Sequence, residues 1–432
     1  MDFYSIIAGV LLLASFIGLI VYCAKGGNLL VGFIVMAIAW SLIGRIPMDI
    51  VVKEVFQKSV ENYGPTIAII VFGSWFGRII VDTGIAGTII RKTVELAGDK
   101  PLVTTLLLAL VSVLVFTSAF GVGSVMAIGM IILPILFSLG LEKRVAVATY
   151  IMSVAAGMYL NIAYVNQLTA LFPTMKYDDK YIRFAVMATL VHVAVIIVFI
   201  LYHFNKAKST TRAWAATSTA SKLTQENRPL PGIVVLVPFL PIFMVAVFKW
   251  APVPSFLLGI FFGLLLTRNL TSYTNAVEKV QKTLYDGVAD VGLLIGMLYG
   301  VNIFSTAARQ VAPILKNILG GVIPTTPLIL VIAFAVLAPL ALFRGPFMIF
   351  GSGAATLAIL QSMGTFNEAF LFALFLIPPV AMVANTCPTQ SWGMWALSYA
   401  KLEPKQYIRT GLAWSWGIMA VNLLLAFFMI AR

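Results

Sequence analysis

The sequence predicts an all-α polytopic membrane protein built from two inverted repeats, each of five transmembrane helices and one re-entrant hairpin, with broken helices. Three observations predict it. The 432 residues are 61% hydrophobic and only 10% charged, with a mean hydropathy of +1.00, which leaves too few polar side chains to coat a water-soluble domain. Apolar runs long enough to cross a hydrocarbon core of about 30 Å, a distance that takes about 20 helical residues, recur along the whole chain. The order of those runs is the same in both halves.

The first span is expected at 4–24. Its leading Met1-Asp2-Phe3-Tyr4-Ser5 lacks the basic start of a secretory signal and no small-residue cleavage site closes it, so it reads as a retained span. Spans at 28–44, 64–83, 144–170 and 181–203 follow, with a longer apolar stretch at 101–139. Segments 47–63 and 85–98 carry charges at helical spacing and are expected to lie in the membrane interface. A polar cytoplasmic linker is expected over 205–229. The second half repeats the order with spans at 230–249, 253–270, 287–305, 366–395 and 407–431, a long stretch at 325–362, and amphipathic pieces at 271–286 and 308–321. Repeat 1 is thus 1–204 and repeat 2 is 230–432.

A constant offset of 223 tests the duplication residue by residue. It superposes Gly9 on Gly232, Arg45 on Arg268, Gly64 on Gly287, Gly73 on Gly296, Gly77 on Gly300, Thr83 on Thr306, Gly98 on Gly321, Pro101 on Pro324, Phe120 on Phe343 and Gln167 on Gln390. Five glycines land on glycine where random placement at this composition gives about one or two.

Each long apolar stretch is nearly twice the length of one crossing and breaks near its middle, at Ser118-Ala119-Phe120-Gly121-Val122-Gly123-Ser124 and at Phe343-Arg344-Gly345-Pro346-Phe347. Both read as re-entrant hairpins. Irregular backbone at membrane depth persists only where it is buried in protein or lines a wet cavity, so the breaks point at a site. If each hairpin returns to its own side, each half crosses five times and the second half is inverted. Placing both termini outside puts about 18 of the 29 Lys and Arg on the cytoplasmic side, in keeping with the positive-inside rule. The net charge of +13 is then topology rather than a nucleic-acid surface.

Two broken spans carry the remaining polar groups. In 144–170 these are Asn161, Asn166, Gln167 and Thr169, and in 366–395 they are Asn385-Thr386-Cys387-Pro388-Thr389-Gln390-Ser391. Pro388 removes a helical hydrogen bond, and Pro378-Pro379 adds a kink. Freed carbonyls and neutral oxygens suit Na⁺, while half-helix N–H groups suit an anion. Arg344 stands at the second tip where the first has Gly121; its planar fork binds carboxylates bidentately. The competing role is to fix the hairpin through a carboxylate or capping carbonyls. The substrate set is therefore Ser118, Gly121, Gly123, Ser124, Asn161, Gln167, Arg344, Gly345, Asn385, Thr386, Thr389 and Gln390. A coupling Na⁺ is placed near Ser118, Asn161, Asn166, Ser352, Asn385 and Thr386, and no other cofactor is expected. The amides could instead bond helix to helix, and the hydroxyls could bond their own helix backbone. Asp82 and Asp290 read as span-end acids reaching water, and His192 as a packed residue with no partner in view. Cys23 and Cys387 frame neither a disulfide scaffold nor a zinc site.

This arrangement resembles the ion transporter superfamily, which includes gluconate permeases, C4-dicarboxylate and citrate carriers and the sodium-coupled divalent-anion symporters. The likeness is carried over the whole chain by two inverted repeats, each with a hairpin followed by a broken helix. Phe72-Gly73-Ser74-Trp75-Phe76-Gly77 with Asp82-Thr83-Gly84 is similar to the gluconate-permease and citrate-carrier relatives. The hairpin tips, Ser118-Ala119-Phe120 and Phe343-Arg344-Gly345, differ from the Ser-Asn-Thr triplet of the divalent-anion members. The resemblance implies an elevator-type protein with scaffold helices in 4–62 and 230–286. Transport parts at 64–203 and 287–431 would slide against them. It further implies a homodimer in a prokaryotic inner membrane, a small carboxylate or dicarboxylate as substrate, and Na⁺ or H⁺ as coupling ion. A Na⁺/H⁺ antiporter is the alternative, which would need a titratable carboxylate near the midplane. A channel ranks third. An enzyme ranks last, since no His-carboxylate cluster, serine-base pair or phosphate loop is visible.

Overall fold

The computed structural model describes residues 3–98, 100–169, 171–172, 174–175, 177–206, 230–319, 321 and 323–431. From 207 to 229 the expected linker lies outside the described residues. Nine helices make up the first half: α1 Phe3–Ala24, α2 Leu29–Ile43, α3 Met48–Asp82, α4 Ile85–Ala97, α5 Pro101–Phe116, α6 Val122–Ser138, α7 Lys143–Met158, α8 Ile162–Thr169 and α9 Asp179–Lys206. The second half continues with α10 Gly232–Phe248, α11 Pro252–Leu266, α12 Tyr273–Leu319, α13 Pro327–Val336, α14 Gly353–Met363, α15 at 368–386, α16 Ser391–Ala400 and α17 Pro404–Ala431. Among the described residues, six helices are long and apolar enough to cross a membrane, or up to eight if each of two bent pairs counts as one span.

Helices hydrophobic all round belong in the interior. Here they are α7, buried at every position from Val145 to Met158, and α15, buried throughout Phe370–Thr386. The two pack against each other at the centre. Around them, α1 turns Phe3, Val10 and Ile17 outward, an apolar exterior that only lipid can cover favourably.

The offset of 223 recurs in the backbone. Helix α11 has the bounds of α2 shifted by 223. Both helices end on an arginine in the left-handed region, Arg45 at φ 51° and Arg268 at φ 59°. Each arginine is followed by the same closing bond, Ile46 N–H to Ser41 O and Asn269 N–H to Leu264 O. Such 6→1 bonds satisfy carbonyls that a helix end leaves open.

Two expectations are corrected. The amphipathic segment 271–286 is not a separate interfacial helix: α12 spans 47 residues, Tyr273–Leu319, and runs through 287–305 into 308–319 without a break. In the first half Asn62 and Tyr63 form a turn with helical dihedrals between Glu61 and Gly64, where the sequence places the boundary. In the second half a change in composition was read as a boundary, yet nothing at 286–287 ends the helical backbone. What does end α3 is Gly84, at φ 81°. Ala307 occupies the equivalent place in the second half and continues the helix. Pro378-Pro379 are likewise absorbed without a break, in a π-helical turn Pro378–Val383, which relieves the carbonyl clash of an internal proline.

Candidate functional site

The first break is organised by Asn161. Helices α7 and α8 meet at 62°, and Asn161 sits between them as the cap of α8, its Oδ1 accepting the Tyr164 N–H at 3.0 Å. Its Nδ2 donates to Phe116 O and Ala119 O, both at 2.9 Å. Those carbonyls belong to the end of α5 and the turn after it, where helical partners run out. One amide therefore ties the broken span to the hairpin tip. Gly157 closes the same contact: a Cβ there would lie 2.6 Å from Val113 O. Two turns back along α7, Tyr150 donates to Val125 O at 2.6 Å, so the chain has reversed through the tip and α6 returns alongside α7. Gly121, at φ 97° and ψ 148°, adopts a conformation essentially confined to glycine. The Ser118 hydroxyl is buried without a hydrogen-bond partner among the described residues.

The second break is wider than Phe343–Phe347. The backbone turns by 66° after α13, passes through a 3-10 segment Ala338–Arg344, and stays irregular until α14 begins at Gly353. Pro339, Pro346 and three glycines within 345–353 deny this stretch a continuous ladder. Phe343 and Arg344 both lie in the left-handed region, at φ 52° and 63°, a conformation costing roughly 1–2 kcal/mol per non-glycine residue. Ser352 holds the turn, donating its N–H and hydroxyl to Arg344 O at 2.9 and 3.1 Å. The Phe343 N–H points at Cys387 Sγ, 3.3 Å away, and that sulfur is 3.0 Å from Thr389 Oγ1. Cys387 is extended, as a residue before proline must be.

Arg344 is half-buried among Cys387, Cys23 and Tyr164. Its guanidinium reaches Phe350 O and Thr389 O at 3.5 Å, the outer limit of hydrogen bonding, and no carboxylate among the described residues pairs with it. Of the two structural roles open to it, pairing with a carboxylate is not seen, and capping carbonyls is met only by these two long contacts. Gly345 brings the turn together, since a Cβ there would meet Leu340 O.

The two breaks adjoin. Tyr164 of α8 meets Phe350 of the second tip edge to face at 6.4 Å, α7 packs on 378–386, and α6 packs on α16, with Gly129 against Trp395. Other expected site residues take separate places. Asn385 bonds Ala381 O at 2.6 Å and His192 Nε2 at 3.2 Å, which gives His192 the partner that the sequence did not reveal. Thr386 bonds Met382 O, Ser124 bonds Phe120 O, and Gln390 precedes α16 without a side-chain cap bond. Gln167 is buried, and its carbonyl accepts the Tyr63 hydroxyl. Asn166 bonds Ile162 O and faces a cavity. Ser118 Oγ and Asn385 Oδ1, buried and unpartnered, are the kind of neutral oxygen that fits Na⁺. Of the six expected Na⁺ residues, Ser118 has no side-chain hydrogen bond among the described residues and the other five bond different partners.

Sequence reasoning missed a bidentate ion pair. Arg78 of α3 donates through Nε and Nη2 to Asp290 of α12, both at 2.6 Å. Asp290 is no span-end acid reaching water, for only 9% of its side chain is exposed. The pair lies under the first tip, so close that a Cβ on Gly123 would collide with both partners. Asp82 is near the same arginine and near Lys279, Lys282 and Asp286. The only sequence signal was an acid and a base within apolar runs 212 residues apart.

This fold is shared with a solved protein. The chain superposes on the crystal structure of the Alcanivorax borkumensis YdaH transporter, whose topology is described as unusual, with a TM-score of 0.60 at 14% identity over 93% of this chain and 98% of that one. No protein-family model matches the chain, and no curated protein is similar to it. With its apolar spans and that fold, it is an integral, multi-pass membrane protein.

Proposed function

We propose that the chain is a secondary active transporter of a small organic anion of the carboxylate or dicarboxylate class, driven by Na⁺ or H⁺ through an elevator-type movement. The observation that carries this reading is Arg344: a cation without an acidic partner, held on strained backbone at a hairpin tip, beside the break of the other half. A charge in such a setting is costly unless a counter-charge arrives, and a guanidinium is suited to a carboxylate. The fold likeness to a transporter supports the transport class. The matching element order at an offset of 223 supports two repeats, and the excess of Lys and Arg in alternate loops supports their inversion. A homodimer in a prokaryotic inner membrane belongs to the same proposal.

The test is a thermal-shift screen of the purified protein against carboxylates with Na⁺ or K⁺, repeated with Arg344→Ala. One carboxylate class should stabilise the protein and lose that effect in the variant. Full retention in Arg344→Ala would remove the arginine from the site.

A second reading, Na⁺/H⁺ antiport, gains support from Asp290, the inward carboxylate such a mechanism needs. Na⁺ efflux from proteoliposomes driven by a pH gradient without organic anion, and lost in Asp290→Asn, would favour it.

A further inference from the structure

Helices α3, α8 and α12 enclose a cavity of about 720 Å³, within the range of small-molecule sites. Neutral polar side chains come from all three: Ser59, Asn62 and Thr66 of α3, Asn166 and Thr169 of α8, and Asn302 and Thr306 of α12. Among the described residues lining it there is no Asp or Glu, but there are two cations. Lys249 is already paired with Asp179. Arg309 is not paired so. It follows Asn302 and Thr306 at i+7 and i+3, on the same helical stripe, is exposed, and makes one bond of 3.3 Å to Leu171 O. Glu368, the nearest acid, is engaged by the N–H and hydroxyl of Thr174. A second cavity of about 400 Å³ lies on the other side of Arg309 and includes Gln361 and Glu368. Gln361 also bonds Leu171 O, at 3.0 Å, so the same carbonyl is held from the second half by Arg309 and Gln361.

We infer that the larger cavity is a binding site for a small carboxylate, distinct from the Arg344 site, with Arg309 as its anion-recognition residue. The inference rests on the organic-anion reading above. A carboxylate offers Arg309 a charge-assisted, two-pronged partner in place of one long carbonyl bond. The surrounding amides and hydroxyls satisfy its remaining lone pairs. Capture there frees Leu171 O from Arg309 and leaves Gln361 as its holder.

The experiment places a cysteine at Thr306, inside the cavity, in the full-length chain; the native Cys23 and Cys387 are buried. Alkylation by a small neutral maleimide is timed in chloride and then with acetate, succinate, citrate and benzoate. At least one carboxylate should slow the reaction threefold or more. That protection should disappear in Arg309→Gln, return in part in Arg309→Lys, and persist in Arg344→Ala. An alkylation rate in chloride that stays within twofold across the variants confirms that each is folded. Protection undiminished in Arg309→Gln overturns the assignment of Arg309, and protection lost in Arg344→Ala overturns the existence of a separate site. Thermal stabilisation by a carboxylate that gives no protection of Cys at 306 sinks this inference alone. Protection without any Arg344-dependent stabilisation sinks the Arg344 reading and leaves this one standing.

Discussion

A buried charge left without its partner destabilises a protein far more than the intact pair stabilises it, because desolvation is then uncompensated. Asp290→Ala and Arg78→Ala should each lower stability by about 3–5 kcal/mol, whereas the double change Arg78→Met with Asp290→Leu should return close to the parent; thermal unfolding of the four proteins in one detergent checks this. Equal losses adding up in the double variant would mean that the two side chains do not act as a pair. The pair also shows where single residues stop being legible in a sequence. Arg344 stood out because it interrupts an apolar run at a Gly-Pro turn, and the structure leaves it without an acid among the described residues. Arg78 and Asp290 are equally charged and equally inward, but their meaning lies in a contact across 212 positions. Asn161 was picked out as a ligand candidate, yet its three side-chain hydrogen bonds among the described residues all go to backbone. Composition locates a polar residue without saying which hydrogen bonds it completes.

Helix boundaries depend on which residue can stop the chain. Gly121 is such a residue: at φ 97° it lies where side chains are strained by about 1–3 kcal/mol, and a Cβ would sit 2.7 Å from Ser74 Oγ. Gly121→Ala should therefore lower the melting temperature of the purified protein and speed proteolysis after residue 116, while Gly98→Ala, with open space around it, should show the backbone penalty alone. If both variants melt together, the contact with Ser74 adds nothing. The breaks themselves were legible because glycine and proline mark them. The joined helix α12 was not, since polar residues at helical spacing followed by apolar ones are compatible with one rod as well as with two. Gly84 against Ala307 is the local signal that separates the halves, a single methyl group that decides whether the chain turns or continues.

At the scale of the molecule, the order of apolar elements could be read from hydropathy, and the offset of 223 carries the bounds of α2 onto those of α11. One proposed divide between sliding parts, at 286–287, falls inside the continuous helix α12, and α3 crosses α12 close by: Ser74 donates to Gly287 O at 2.8 Å, Trp75 Nε1 to Thr283 Oγ1 at 3.0 Å, and a Cβ on Gly287 would lie 2.8 Å from the Trp75 backbone. Trp75 and Thr283 are on opposite sides of the proposed divide. Cysteines at both positions, cross-linked by oxidation, should stop uptake into proteoliposomes and release it on reduction; transport that continues at the full rate would mean these helices travel together. Helix α12 has a mechanical consequence of its own. At 1.5 Å per residue its 47 residues measure about 70 Å, more than twice the hydrocarbon thickness, so it must lean steeply or project into water. Asp290 and Arg309 ride on it about 28 Å apart. A tilt begun by carboxylate capture at Arg309 would be felt at Asp290 without any relay of side chains, as the two ends of a single lever feel one push.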